Sequence, residues 1–97
     1  MPLNHEQQKR ITEALPIVHL NGTGRSSLIE QRCNVATAVR KALEELGQMT
    51  PHGRDYDVGE DGRLEKARAL HEDRRAGLQE QYDAMTLEAE QLYATGK

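Results

Sequence analysis

Two short segments of this chain carry residues suited to binding an anion. The first, NGTGR at residues 21–25, combines an amide, a hydroxyl, two glycines and a guanidinium just before a long helix-forming stretch. Free backbone N–H groups at a helix start attract negative charge, so Asn21, Thr23 and Arg25 are candidate phosphate ligands. The alternative is structural, with Asn21, Thr23 or Ser26 capping the helix. The P-loop spacing of glycine, lysine and hydroxyl is absent.

The second segment, HGRDY at residues 52–56, lies in a loop between two helix-forming stretches. Arg54 offers a planar fork to a phosphate, Tyr56 offers a ring and a hydroxyl, and His52 gains charge near neutral pH. Simple turns are made more readily from Gly, Asn and Asp, which favours a binding role for these three residues. In the alternative, Asp55 pairs with Arg54 or with an arginine of the second long helix, and Tyr56 covers the open end of the hairpin.

A third candidate cluster interrupts the apolar face of the second long helix. Arg74 and Arg75, together with His71, stand where aliphatic residues are expected, and Arg32 interrupts the first long helix in the same way. If unpaired, these arginines would form a positive notch that supports a phosphate-bearing ligand. Pairing with nearby glutamates, Glu72 among them, is the alternative.

Catalysis and metal binding receive no support from the sequence. The four histidines have no nucleophile at a recognisable spacing, Cys33 is the single cysteine, and no metal-ligand pattern occurs. We therefore expect a non-enzymatic protein with no cofactor, no metal site and no catalytic residues.

Proline and glycine residues that end helices divide the sequence into helix-forming stretches, which predict one all-helical domain spanning 1–97. Asn4 is the expected cap of the first helix, Pro16 its stop signal, and Gly47 the terminator of the second helix. The expected elements are, in order, a short helix at 4–15, an extended segment at 16–23, a helix at 24–46, a loop at 47–62 and a helix at 63–94. The fold class is therefore all-α, a long antiparallel helical hairpin with an N-terminal appendage.

Apolar residues at helical spacing predict which faces pack. On the first long helix they are Leu28, Val35, Val39, Ala42, Leu43, Leu46 and Met49, with Ile29 and Ala36 beside them. On the second they are Leu64, Ala67, Leu78, Tyr82, Met85, Ala89 and Leu92. Ile17, Val18 and Leu20 are expected to pack on the hairpin. With the turn centred near Asp55, Arg32 would lie level with Arg75 or Leu78.

The composition indicates the size of the core, the classes of partner and the location of the protein. Only 36% of the 97 residues are hydrophobic and there is no Phe or Trp, so a thin core is expected, completed by self-association into a homo-oligomer, a dimer or higher. The net charge of −3 argues against a nucleic-acid polymer as partner. Without a signal peptide or an apolar span, the expected location is the cytoplasm and no membrane partner is expected.

Geometry separates the two candidate segments. A helix of about 23 residues is roughly 35 Å long, so Thr23 and Arg54 lie at opposite ends of one hairpin. Two hairpins packed antiparallel would bring the loop of one next to the helix start of the other, creating two equivalent composite sites.

The run "LPIVHLNGTGR" before one helix and "HGRDY" before the next resembles a group of small uncharacterised proteins encoded in tailed-phage and prophage genomes. The resemblance covers about residues 10 to 95 and depends on these two motifs. This chain departs from it at Gly24, where such proteins carry Ser, and at Asp57, where many carry a second Tyr. The resemblance implies a phage origin, an accessory role and the host cytoplasm. More loosely, the size and helical form are similar to phage sponge proteins that sequester nucleotide signals of CBASS and Thoeris defence.

Two functions remain open at this point. The first is non-enzymatic binding and sequestration of a phosphate-bearing nucleotide signal of anti-phage defence, a nucleotide-derived small molecule. Its expected ligand-binding residues are Asn21, Thr23, Arg25, His52, Arg54, Tyr56, Arg74 and Arg75. The second is a protein–protein interaction module that inhibits or adapts a host protein, in which case the two motifs are structural.

Overall fold

A computed structural model describes residues 3–19, 22–56 and 62–95 of the chain. Its elements are the helix α1 (His5–Glu13), the helix α2 (Arg25–Gly47), a 3-10 turn (Gly53–Asp55) and the helix α3 (Arg63–Ala94). The described ranges contain no strand, and α2 and α3 pack against each other along their length. The expected all-helical class is therefore confirmed, and the long helices begin and end within about one residue of their expected bounds.

The start of α1 is fixed by a reciprocal pair of hydrogen bonds. The backbone N–H of Gln7 donates to Oδ1 of Asn4 at 2.8 Å, and the backbone N–H of Asn4 donates to Oε1 of Gln7 at 2.8 Å. Two of the four free donors at this helix start are thereby satisfied. Asn4 is the cap that the sequence predicts, and the helix ends at Glu13, with Ala14 as its C-terminal cap, shortly before Pro16.

Neither end of α2 is built as expected. Gly24 is the N-cap, and no side chain caps the helix, so the prediction that Thr23 or Ser26 does so is wrong. Gly47 is the last residue of the helix rather than its terminator, and Gln48 follows with a right-handed helical backbone. The hydroxyl of Thr50 donates to the carbonyl of Gly47 at 2.8 Å, which satisfies an end carbonyl without a left-handed residue.

The register of the hairpin differs from the expected one. Nε of Arg32 lies 3.2 Å from Oε1 of Glu88, and Oγ1 of Thr50 lies 3.5 Å from Nε2 of His71. Each pair has a midpoint near residue 60, so the turn is not centred on Asp55 and Arg32 does not lie level with Arg75 or Leu78. The 3-10 turn explains part of this shift, because it folds beside the start of α3: a Cβ built on Gly53 would lie 3.9 Å from Leu64.

The packed face of α3 is the expected one. From Leu64 to Tyr82 its half-buried positions mostly follow steps of three and four residues, the spacing of a helix that packs lengthwise on another. From residue 82 to residue 89 every side chain is half-buried. On α2 the expected stripe is confirmed at Leu28, which is buried, and at Val39, Ala42, Leu43 and Leu46, which are half-buried. Val35 is the exception within the helix, at 47% exposed, and Met49, beyond the end of α2, is 62% exposed, while Ile29 and Ala36 beside the stripe are half-buried. Apolar residues cover two adjacent faces of α2, and the periodicity alone does not select between them.

The helix α1 packs on α3. Nε2 of Gln7 donates to Oε1 of Glu80 at 2.7 Å, and Nε2 of Gln91 donates to Oγ1 of Thr12 at 2.9 Å. Because both residue numbers rise together, α1 runs in the same direction as α3.

The segment after α1 contributes little burial. Ile17 is 84% exposed, which contradicts its expected packing on the hairpin, whereas Val18 is half-buried. Leu20 and Asn21 lie outside the described residues. The described part of the expected extended segment has no regular secondary structure.

Candidate functional site

The segment at residues 52–56 is held by a short hydrogen-bonded turn. The N–H of Asp55 donates to the carbonyl of His52 at 3.0 Å, and the N–H of Tyr56 donates to the carbonyl of Gly53 at 3.2 Å. These bonds form the 3-10 turn and leave the side chains of His52 and Arg54 exposed, with Tyr56 half-buried. The loop therefore presents a guanidinium and an imidazole to solvent at one tip of the hairpin.

Arg54 is free to meet a ligand as far as the described residues extend. It forms no hydrogen bond or ion pair with any of them, its neighbour Asp55 included. The structural alternative in which Asp55 neutralises Arg54 is therefore absent from the described part of the chain. An exposed guanidinium of this kind binds carboxylates and phosphates through two parallel N–H groups.

The helix start around Thr23 and Arg25 lies at the other end of α2. Gly24 leaves the first turn without a side-chain cap and without an acidic residue. Nε of Arg25 is buried, and among the described residues it has no hydrogen-bond partner. Thr23 is exposed. Asn21, the third expected ligand there, lies outside the described residues.

The arginines of the expected notch are mostly paired. Arg75 binds Glu72 through two hydrogen bonds, Nε to Oε2 at 2.9 Å and a terminal nitrogen to Oε1 at 2.6 Å. These bonds lower the pKa of Glu72 below its usual range and raise the pKa of Arg75. Arg32 pairs with Glu88, and of these three arginines Arg74 alone is exposed and has no partner among the described residues. An unpaired positive notch is therefore not formed.

The expected ligand residues do not converge in one chain. Thr23 and Arg25 are separated from His52, Arg54 and Tyr56 by the length of α2, roughly 35 Å. Of the eight expected ligands, Arg75 lines a depression between the start of α1 and the middle of α3.

A separate concave feature is a groove along α2 and α3, which we term the α2/α3 groove. Its volume is about 510 Å³ and it is open along its length. It is lined by Cys33, Ala36, Thr37, Arg40, Lys41 and Glu44 of α2 and by Tyr82, Met85, Thr86, Ala89 and Glu90 of α3. Small residues lie on both helices, apolar side chains at the floor and charged side chains at the rim.

No residue of α1 lines the groove, although Met85 lines both the groove and a depression between α1 and α3. Tyr82 follows Glu80, which α1 contacts, by two residues and so lies on a different side of α3. Sequence reasoning found Ala36 and Leu43 as a second apolar face of the first long helix. It missed the groove as a site because small residues carry little weight in hydrophobic patterns.

Comparison with known proteins does not indicate a function, so the function is inferred from the fold and the groove. No protein-family model matches the chain, and searches of curated proteins and of solved structures gave no significant match.

Two other classes of site were sought in the described residues. No group of three or more His, Cys, Asp and Glu there is placed to hold a metal ion. None of the helices in those ranges is both long and apolar enough to cross a membrane.

Proposed function

We propose that this chain is a non-enzymatic protein–protein interaction module that packs the α2/α3 groove against helices of another protein surface. The observation that carries the proposal is the incomplete core: within the described ranges only Leu28 and Leu92 are buried apolar residues. Two helices alone do not enclose a core, and the stable arrangements of long hairpins add further helices. The α2/α3 groove is the open side of such an arrangement.

The lining of the groove suits a helix as its occupant. Ala36 and Thr37 on α2 and Thr86 and Ala89 on α3 are small, which permits close approach of another backbone. Tyr82 and Met85 supply apolar area, and both side chains adapt well to protein interfaces. Charged residues at the rim keep the open groove compatible with water.

Cys33 provides a direct test, because it is the single cysteine, is exposed and lines the groove. A thiol-linked photo-crosslinker placed on Cys33 in dilute solution should yield crosslinked protein when the labelled chain is returned to a cell extract or concentrated. The matched control moves the thiol to an exposed position of α2 that faces away from the groove, with the double variant Cys33→Ser, Ala38→Cys. This control should give little product. Equal products from both faces, or none from Cys33, would contradict the proposal.

A second candidate function is binding of a phosphate-bearing ligand at the loop. It is favoured by the guanidinium of Arg54, which is exposed and has no partner among the described residues. In this proposal His52 and Tyr56 assist Arg54, and Thr23 and Arg25 contribute from a second copy. Sequestration of a nucleotide signal of anti-phage defence is the corresponding biological role, and it rests on the resemblance of the HLNGT and GRDY motifs.

A thermal-shift screen tests this second candidate. Ligands that bind only the folded state stabilise it by about 2.7 kcal/mol at a hundredfold excess over the dissociation constant. Cyclic dinucleotides, cyclic trinucleotides, cyclic ADP-ribose isomers, NAD and ADP-ribose are the probes, with inorganic phosphate as control. The shift should vanish in Arg54→Ala and persist in Arg10→Ala, which removes an equal charge from α1. Failure of all probes to shift the melting temperature would refute nucleotide binding at the loop.

A further inference from the structure

The accessible surface of this chain is larger than its mass requires. It measures 7424 Å², whereas a folded monomer of 10.9 kDa exposes about 5,600 Å². The radius of gyration is 18.3 Å, against about 12.5 Å for a compact domain of this length. The chain therefore exposes about 1,800 Å² more than a compact monomer of its mass, and more than half of its residues lie in the hairpin of α2 and α3.

We propose that a second copy of this chain covers the α2/α3 groove, with the two grooves facing each other across a two-fold axis. Helices α2 and α3 of both copies then form a four-helix bundle, and each α1 lies on its outside. This inference rests on the proposed function and names its partner. Stable homodimers bury about 1,000 to 2,500 Å² per chain, a range that contains the excess surface of this one.

The charges at the rim of the groove permit self-association. Arg40 and Lys41 are cationic, and Glu44 and Glu90 are anionic, so the rim carries no net charge. A face of one sign would repel its own copy, whereas a mixed face does not. The floor contributes small and apolar side chains to the two-fold contact, including Ala36 of each copy.

A permanent partner fits the packing better than a transient one. Half-buried residues extend over most of both long helices, so a partner that covers them also stabilises the folded state of the chain itself. A second copy is present wherever the chain is made, whereas an occasional partner would leave these residues exposed whenever it is not bound.

Sedimentation velocity of the purified chain over a wide concentration range is the deciding experiment. We expect a species of twice 10.9 kDa. Ala36→Glu should weaken its association about a hundredfold or more, because each copy then places a bulky carboxylate, which must lose its water, where a small apolar side chain packed. The matched control Ala38→Glu makes the same substitution on the exposed opposite face of α2 and should leave the dimer intact. A monomeric wild-type chain at every concentration would overturn the inference, and so would a dimer that Ala36→Glu leaves unchanged.

A second measurement covers the case in which Ala36→Glu fails to fold, which circular dichroism would reveal. The rate at which a small thiol reagent modifies Cys33 in the wild-type chain should fall as the protein concentration rises. A rate independent of concentration, alongside a dimer in sedimentation, would show that the dimer uses another face and overturn the inference.

The outcomes also separate this inference from the proposed function. If the purified chain is monomeric but the crosslinker on Cys33 captures a different protein, the second copy is excluded and the interaction module stands. If Cys33 captures neither a second copy nor another protein, both are refuted.

Discussion

At the end of the hairpin that carries α1, Leu92 is fully buried and Leu28 nearly so, whereas at the loop end Met49 and Leu70 are more than half exposed. This end, which we term the terminal end, also has a hydrogen bond between helices, from Gln91 of α3 to Thr12 of α1. At the loop end, the approach of Thr50 to His71 is longer, at 3.5 Å. Apolar residues on or beside the same two helices therefore differ in burial according to where they lie along the hairpin.

The largest expected effect separates the two ends directly. Leu92→Ala should lower the free energy of unfolding by about 2 to 5 kcal/mol, because it removes a fully buried side chain and leaves a cavity. Leu70→Ala makes the same change on the same helix, but at a residue that is 54% exposed. It should cost about 0.5 kcal/mol or less. Chemical denaturation at one fixed protein concentration gives both values, and equal losses would abolish the distinction between the ends.

The pair between Arg32 and Glu88 should give a smaller effect. It joins α2 to α3 at 3.2 Å, and both side chains are only 19% exposed. A double-mutant cycle with Arg32→Gln and Glu88→Gln should give a coupling energy of about 1 to 2 kcal/mol, above the range of exposed pairs. A coupling near zero would mean that this contact does not fix the hairpin register.

The pair between Glu72 and Arg75 lies within α3 and should contribute least. Because the hydrogen bond from Arg75 lowers the pKa of Glu72 in the folded state, its stabilisation is present above the unfolded pKa of a glutamate. It is lost as the pH falls through the lowered pKa of the folded state. Side-chain carboxyl NMR should show the pKa of Glu72 returning towards its usual range in Arg75→Gln. An unchanged titration of Glu72 in that variant would rule out the assigned cause.

Local signals in the sequence predicted the elements well. Asn4 caps α1 by the expected geometry, and both long helices lie where the apolar periodicity places them. These features depend on interactions within a few residues, which a sequence displays directly.

The errors have a local and a distant source. Locally, the hydroxyl of Thr50 donates to the carbonyl of Gly47, and α2 includes the glycine that was expected to follow it. Over a longer distance, contacts such as that of Arg32 with Glu88 fix the register of the hairpin, which the sequence does not display. Val35 was expected in the packed face because two adjacent faces of α2 are apolar, and only the position of α3 selects between them. The candidate ligands at the loop remain a prediction.

The hairpin geometry also has a consequence for the order of folding. Contacts across it join residues 21 apart at Thr50 and His71, 56 apart at Arg32 and Glu88, and 79 apart at Thr12 and Gln91. Closing the longest of these loops costs only about 1.2 kcal/mol more in chain entropy than closing the shortest. Burying one leucine side chain stabilises the folded state by about 1.5 to 3 kcal/mol. The two helices come together soonest at the loop end, but they bury few apolar side chains there. A hairpin closed only at the loop end therefore reopens until the helices also pack at the terminal end. Folding of this chain is therefore expected to be all-or-none, with its rate set by the most distant contacts.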